Sequence, residues 1–342
     1  MTRPAATRAL PRRRRALLVG GACAALLTAL LVGPLVGSTH VDLARALSDP
    51  LGWDRNVDAA ILFVARLPRV LLAAVVGGSL ALAGATFQSL LRNPLATPYT
   101  LGVSAGATFA AALAMRFGTS SLLAEMTVPA AALIGALATA AGVLALTARR
   151  GDLPTTVLLL AGVSLNYTIG AGVLLLQYFA DYTETARMVR WMMGDLEAGS
   201  YRLLLLVLIG SLPGWVALAR SGRALNLMSL GPDEARAHGV DAAAQMRHGL
   251  LWASWITGLA VAVAGPIGFV GIIVPHAVRL LGGADARIVL PAAIFAGGAF
   301  LVGCDALSRT VMAPVELPIG VLTACLGGPF FLALLLRKRA VI

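Results

Sequence analysis

Residues 225–245 read LNLMSLGPDEARAHGVDAAAQ, a polar island in a chain whose remaining length is mostly long apolar runs. Ser229, Leu230, Gly231 and Pro232 interrupt it. Asp233, Glu234 and Arg236 then share a short helical pattern with Ala235 and Ala237. Gly239, followed by Val240, stands where a C-cap glycine would close that helix. The spacing predicts two short helices around a glycine turn, a compact lobe outside the apolar layer. A membrane-embedded chain that keeps such a lobe offers it to a partner; the plain alternative is a solvated connection between two spans.

Outward from the lobe, composition sets the class. Of 342 residues, 58% are hydrophobic and 13% charged, whereas soluble chains are about a quarter charged. With apolar runs near 20 residues recurring along its length, the chain reads as all-α, a polytopic helical membrane protein in contact with the lipid bilayer. A β-barrel is excluded because its strands alternate and these runs do not. The net charge of +11 does not indicate nucleic acid, because the basic residues cluster at span ends, as topology demands. Cys23, Cys304 and Cys325 sit in apolar runs without metal-ligand spacing, and read as packing residues.

Ten spans are predicted: 16–37, 67–91, 99–117, 124–147, 154–179, 202–219, 249–265, 267–282, 288–307 and 318–336. Residues 249–282 form one apolar run, which as a single helix would be about 50 Å long against a hydrocarbon core of about 30 Å. Gly265-Pro266 and Gly268 allow a break. Parity agrees, since Arg12–Arg15 and Arg337-Lys338-Arg339 both ask to be cytoplasmic. With ten spans, 18 of the 27 Lys/Arg but only 5 of the 16 Asp/Glu fall inside, the bias that the positive-inside rule expects. Residues 225–245 are then cytoplasmic, and 38–66, 180–201 and 308–317 external. The first run imitates a signal peptide but is long enough to span, and reads as a retained helix after a tail of residues 1–15. The whole chain, 1–342, is expected to be one transmembrane domain.

Small residues recur within spans: Gly102, Ser104 and Gly106, and Gly77, Gly84, Gly135 and Gly142. They let helix backbones approach where lipid gives no drive to associate. Leu80–Gly84 (LALAG) resembles Val261–Gly265 (VAVAG) five spans later, a faint sign of inverted repeats. No catalytic constellation is present, and few ionisable residues lie deep in a span, which weighs against ion-driven transport. His276 stands near a span end and is expected to cap or face the interface. Arg66 and Arg69 break the charge bias at the outer face. They either receive acidic side chains of an external partner or snorkel to headgroups, and Arg309 shares the ambiguity. Arg92-Asn93-Pro94-Leu95 turns the chain at the inner face, and Thr155-Thr156 opens a span there.

RLPRVLLAAVVGGSLALAGATFQSLLRNPLATPYTLGVSAGA (66–107), LLLAGVSLN (158–166), RWMMGDL (190–196), SLGPDEARAHGV (229–240), GPIGFVGIIVPHAVRLL (265–281) and ELPIGVLTACLGGPFFLALLL (316–336) together resemble the permease subunit of type II ABC importers. This is the FecCD-like family that takes up iron–siderophore complexes, haem and vitamin B12. The resemblance implies ten helices per subunit and a homodimer with its pathway on the two-fold axis. It implies two cytoplasmic ATPase subunits gripping 229–240, where Ser229, Leu230, Gly231, Asp233, Glu234, Ala235, Arg236, Gly239 and Val240 match the coupling loop. An external binding protein would deliver a metal chelate and meet Arg66, Arg69 and Arg309 with acidic residues. Asn93, Leu95, Thr155 and Thr156 match a cytoplasmic gate, although Thr156 stands where a serine is expected and Pro154 departs from the pattern. No cofactor, metal or catalytic residue is implied for this chain; ATP and magnesium would belong to the partner subunits. An iron–siderophore cargo leads, with haem and vitamin B12 open. An ion-coupled secondary transporter and a membrane-embedded enzyme or scaffold are the readings from other classes.

Overall fold

In the computed structural model, residues 12–50, 52–118, 124–150, 155–196 and 200–336 are described, and among them there is no strand. The first five long helices are α1 (Arg12–Val32), α2 (Leu67–Leu90), α3 (Val103–Phe117), α4 (Ala124–Arg150) and α5 (Thr155–Phe179). The second five are α6 (Tyr201–Arg220), α7 (Ala242–Ala264), α8 (Val270–Gly282), α9 (Ala286–Ser308) and α10 (Ile319–Leu336). They fall on the ten predicted spans, so the chain is a multi-pass helical membrane protein. Pro154, the tail up to Pro11 and the basic triplet 337–339 lie outside the described residues.

Three boundaries differ from expectation. The helical run leading into α2 starts at Val57, not at 67, and passes through a π-helical segment Ala60–Arg66. No Gly or Pro interrupts 57–67, and Asn56 caps the start by accepting from Ala59 N at 3.2 Å. α3 starts at Val103 and not at 99, because Pro94 and Pro98 carry no N–H and Gly102 takes φ +85°. The run 249–282 does break, but α7 begins earlier, at Ala242, where Asp241 accepts from Ala244 N. Gly265 (φ +64°) ends α7 and Phe269 (φ +65°) precedes α8.

The backbone freed at these breaks is paired, as burial without water requires. Tyr99 Oη donates to Ile267 O at 2.7 Å and accepts from Ile267 N at 2.8 Å, joining the stretch before α3 to the stretch before α8. Asn166 Nδ2 on α5 donates to Tyr99 O at 2.9 Å.

α2 is the axis of the molecule. All of its residues but Leu67, Leu71, Ala74 and Ser89 are buried. α9, α7, α8 and α6 pack around it, α1 lies outside α9, and α3, α4 and α5 form a second group joined through α4 to α7. Glycine pairs set the crossings: Gly77 with Gly297 between α2 and α9, Gly84 with Gly271 between α2 and α8, and Gly106 with Gly135 between α3 and α4. The two similar pentapeptides occupy unlike positions, since 80–84 lies inside α2 whereas 261–265 ends α7.

A Cβ at Gly84 would stand 2.0 Å from Gly271 O, a backbone atom that side-chain motion cannot clear. Gly84→Ala is therefore expected to cost about 1–3 kcal/mol, read as a lower Tm in detergent. Gly142→Ala, with nothing within 4 Å, should leave Tm unchanged.

Candidate functional site

The lobe forms as two short helices, Gly222–Leu230 and Pro232–Ala237. Gly231 between them takes φ +134°, ψ 155°, backbone that only glycine adopts readily. Pro232 opens the second helix where no N–H is needed. At its far end Gly239 (φ +78°) donates N–H to Arg236 O at 2.9 Å and Val240 N donates to Ala235 O at 2.9 Å, a Schellman closure. Ala235, Met228 and Leu225 are buried beneath. Ser229, Leu230, Asp233, Glu234, Arg236 and Gly239 are exposed. Asp233 and Arg236 pair at 3.0 Å. Leu230 is 67% exposed, an apolar side chain at the tip of a polar lobe.

The lobe is fixed to α9. Asn226 Nδ2 donates to Asp285 Oδ1 at 2.8 Å, and Asn226 Oδ1 accepts from Ala286 N at 2.7 Å. Asp285 also caps α9 through Arg287 N, accepts from the Arg287 guanidinium and lies 3.5 Å from Arg15 at the start of α1. The hydrogen bonds from Arg287, above all, hold the Asp285 carboxyl down at about 2. A carboxylate with a lowered pKa contributes fully above the ordinary range near 4 and loses its contribution as pH falls toward 2, so this attachment is insensitive to pH across the neutral range.

At the opposite end, Arg66, Arg69 and Arg309 come together, but not as open receptors. They are 6%, 9% and 3% exposed. Arg69 Nε donates to Asp305 Oδ1 and Nη1 to Glu316 Oε2, both at 2.7 Å. Arg309 Nη2 lies 2.9 Å from Asp305 Oδ2, a close buried charge pair. Arg309 also donates to Val36 O and Gly33 O, and Arg66 to Pro34 O at 3.2 Å and Thr39 O at 2.5 Å. The guanidiniums thus tie residues 33–39 to the ends of α2 and α9. Neither open docking nor snorkelling describes them. Asp305 and Glu316 went unnoticed in the sequence, although Asp305 and Arg309 stand one helical turn apart.

At the lobe end, the turn after α2 holds Asn93 and Leu95. Arg92 takes φ +48°, Asn93 N donates to Gln88 O at 3.2 Å, and Asn93 Oδ1 accepts from Leu95 N at 2.9 Å. Leu95 is exposed. Thr155 and Thr156 begin α5, about 10 Å before Gly162, whose missing Cβ admits Thr100 O. The 3-10 turn that follows residues 92–95 packs against α5. His276 does not cap: its Nε2 is enclosed without a partner among the described residues. Cys304 is buried, but Cys325 is exposed, lining a groove of about 480 Å³ with Met192, Met193 and Val321, which differs from the packing role expected. Among the described residues no group of three or more His, Cys, Asp or Glu could hold a metal ion.

An axial helix wrapped by others, broken spans and a polar lobe on the end of α9 are the architecture of a multi-pass helical membrane protein. The FecCD transport family model matches residues 24–337. The chain belongs to that family and is an ABC importer permease. It is 40% identical over 315 residues to the hemin transport system permease protein HmuU of Yersinia pestis, covering 91% of this chain and 94% of that one. It is 37% identical over 330 residues to the vitamin B12 import system permease protein BtuC of Yersinia pseudotuberculosis, covering 96% of both. A solved structure described as an inward-facing conformation of a metal-chelate type ABC transporter aligns with TM-score 0.84 at 30% identity, over 94% of this chain and 99% of that one.

Removing the charge of Asp305 leaves two buried guanidiniums without their shared anion. Asp305→Asn is expected to cost about 3–5 kcal/mol, seen as a large drop in Tm. Glu316→Gln, at a partly exposed carboxylate, should cost about 1 kcal/mol or less.

Proposed function

We propose that this chain is the translocation subunit of an importer for a metal chelate, driven by ATP hydrolysis in partner subunits. The observation that carries it is the adjacency of lobe and turn. A Cβ on Gly231 would stand 3.8 Å from Arg92 Nη1, so a force on the lobe reaches the turn of Asn93 and Leu95 directly. Ser229, Leu230, Asp233, Glu234 and Arg236 form the grip of two cytoplasmic ATPase subunits, with Ala235, Gly239 and Val240 as its frame. Asn93, Leu95, Thr155 and Thr156 form the cytoplasmic gate. ATP and magnesium stay with the ATPase, and this chain binds no cofactor and performs no catalysis.

The active unit is a homodimer. Leu160, Tyr167, Leu174 and Tyr178 recur along one face of α5 and are widely exposed in the single chain, which supports a second copy around a shared pathway. That face carries hydroxyls and apolar groups but no charge, which suits a preassembled chelate rather than a bare ion. An iron–siderophore complex is the proposed cargo, and haem or vitamin B12, the cargoes named for the relatives, are its competitors. The membrane is the bacterial inner membrane, with both termini in the cytoplasm.

An external binding protein docks at the far end. Arg66, Arg69 and Arg309 support that surface from beneath, since their charges face Asp305, Glu316 and backbone carbonyls.

Reconstituted with its ATPase, Glu234→Lys is expected to insert normally and to lower the solute moved per ATP hydrolysed by tenfold or more, equivalent to about 1.4 kcal/mol. Gly231→Pro, incompatible with φ +134°, should do the same. Normal coupling in both variants, or uptake by the purified permease alone, would sink the assignment. A further test concerns the arginines. Arg66→Glu should weaken binding-protein affinity equally at low and high salt, because a buried cation acts through shape. A loss that vanishes at high salt would place the guanidinium in direct, screened contact.

A further inference from the structure

Pro275 lies inside α8 and has no N–H to offer the carbonyl four residues back, that of Gly271. Gln88 of α2 fills the vacancy: its Nε2 donates to Gly271 O at 2.9 Å while its Oε1 accepts from Arg279, one turn beyond Pro275. This amide orientation is the only one the chemistry allows, since a carbonyl cannot donate and a guanidinium cannot accept. Gln88 is 5% exposed. It sits one turn beyond Gly84, whose contact with Gly271 brings the two backbones together. Its own carbonyl accepts from Asn93 N, the first bond of the turn that carries Leu95.

We infer that Gln88 is a positioning residue of the gate: its amide replaces the helix bond that Pro275 removes, locks α8 onto α2, and so sets where Asn93 and Leu95 stand. Resting on the gate reading proposed above, it names a residue that touches neither the solute nor the ATPase. Gln88, one amide in an apolar run, thereby couples a proline-broken helix to the turn below it.

The test is a suppressor pair. Gln88→Glu keeps an acceptor for Arg279 and loses the donor to Gly271. Pro275→Ala restores the helical N–H and makes that donor dispensable. In the detergent-purified full chain, amide hydrogen exchange across 91–97 and 270–276 should quicken about fivefold in Gln88→Glu, the change that one lost hydrogen bond makes in an equilibrium. It should return to the wild-type rate in Gln88→Glu/Pro275→Ala. Gln88→Leu, which also abandons Arg279, should be restored only in part. If Gln88→Glu folds only in the Pro275→Ala background, the tie to Gly271 stands, and Gln88→Leu carries the test of whether 91–97 moves with 270–276. Failure of Pro275→Ala to restore either folding or exchange overturns it. So does a change confined to 270–276, which would make Gln88 a plain tie between helices. With the ATPase added, solute moved per ATP should follow exchange in 91–97 across the four variants. A wild-type complex without ATP-driven uptake would refute the transport proposal while leaving the exchange result intact.

Discussion

Asp305 has no exposed surface and faces two guanidiniums, one from α2 and one from the turn after its own helix. A carboxylate in that position is costly unless it is paired, and so are the arginines. The pairing therefore fixes the far end of α9 against α2. Midway, Gly77 and Gly297 let the same two helices touch backbone to backbone. At the other end, Asp285 binds Asn226 of the lobe and Arg15 of α1. α9 is thus pinned at both ends and at its centre, a strut between the lobe and the surface opposite.

That strut contrasts with its neighbours. α5 is widely exposed, and α10 meets the described fold chiefly through α8 and α9. α3 and α8 are short, preceded by a 3-10 turn (Pro98–Leu101) and by the irregular stretch 265–269, which the Tyr99 hydroxyl joins. Packing is concentrated around α2 and α9, and α5 and α10 have fewer ties to the rest of the described fold. A partner gripping the lobe, as proposed, would act on the tightly packed part of the fold, with Gly231 beside Arg92.

Most of this architecture was legible in the sequence because its signals are local. Span number follows from run length and hydropathy, and the break inside 249–282 from Gly265 and Pro266. The lobe follows from Gly231, Pro232 and Gly239, each of which acts within a few residues. What escaped depends on distance. Arg69 meets its partners 236 and 247 residues away, so an arginine that reads as exposed at a span end is the core of an ionic cluster. Gln88 was invisible for the same reason, as its meaning lies in a proline on another helix. The helical run from Val57 into α2 is hidden because nothing in 57–66 marks a boundary, and the charge of Arg66 reads as one.

The buried cluster also bears on how transport is driven. A carrier coupled to protons or cations needs a carboxylate that can give up its partner and take the coupling ion at modest cost. Asp305 is the one fully buried acid among the described residues, and it holds Arg69 and Arg309 at once. Neutralising it in each cycle would leave two cations facing one another in a region without water. The third charge, Arg66, would gain nothing, because its hydrogen bonds run to the carbonyls of Pro34, Leu35 and Thr39. Such a group is a fastener, unsuited to a relay. With the buried acid committed to structure, the proposal that ATP hydrolysis in partner subunits supplies the work fits the fold, and the lobe on α9 offers such a motor a firm hold.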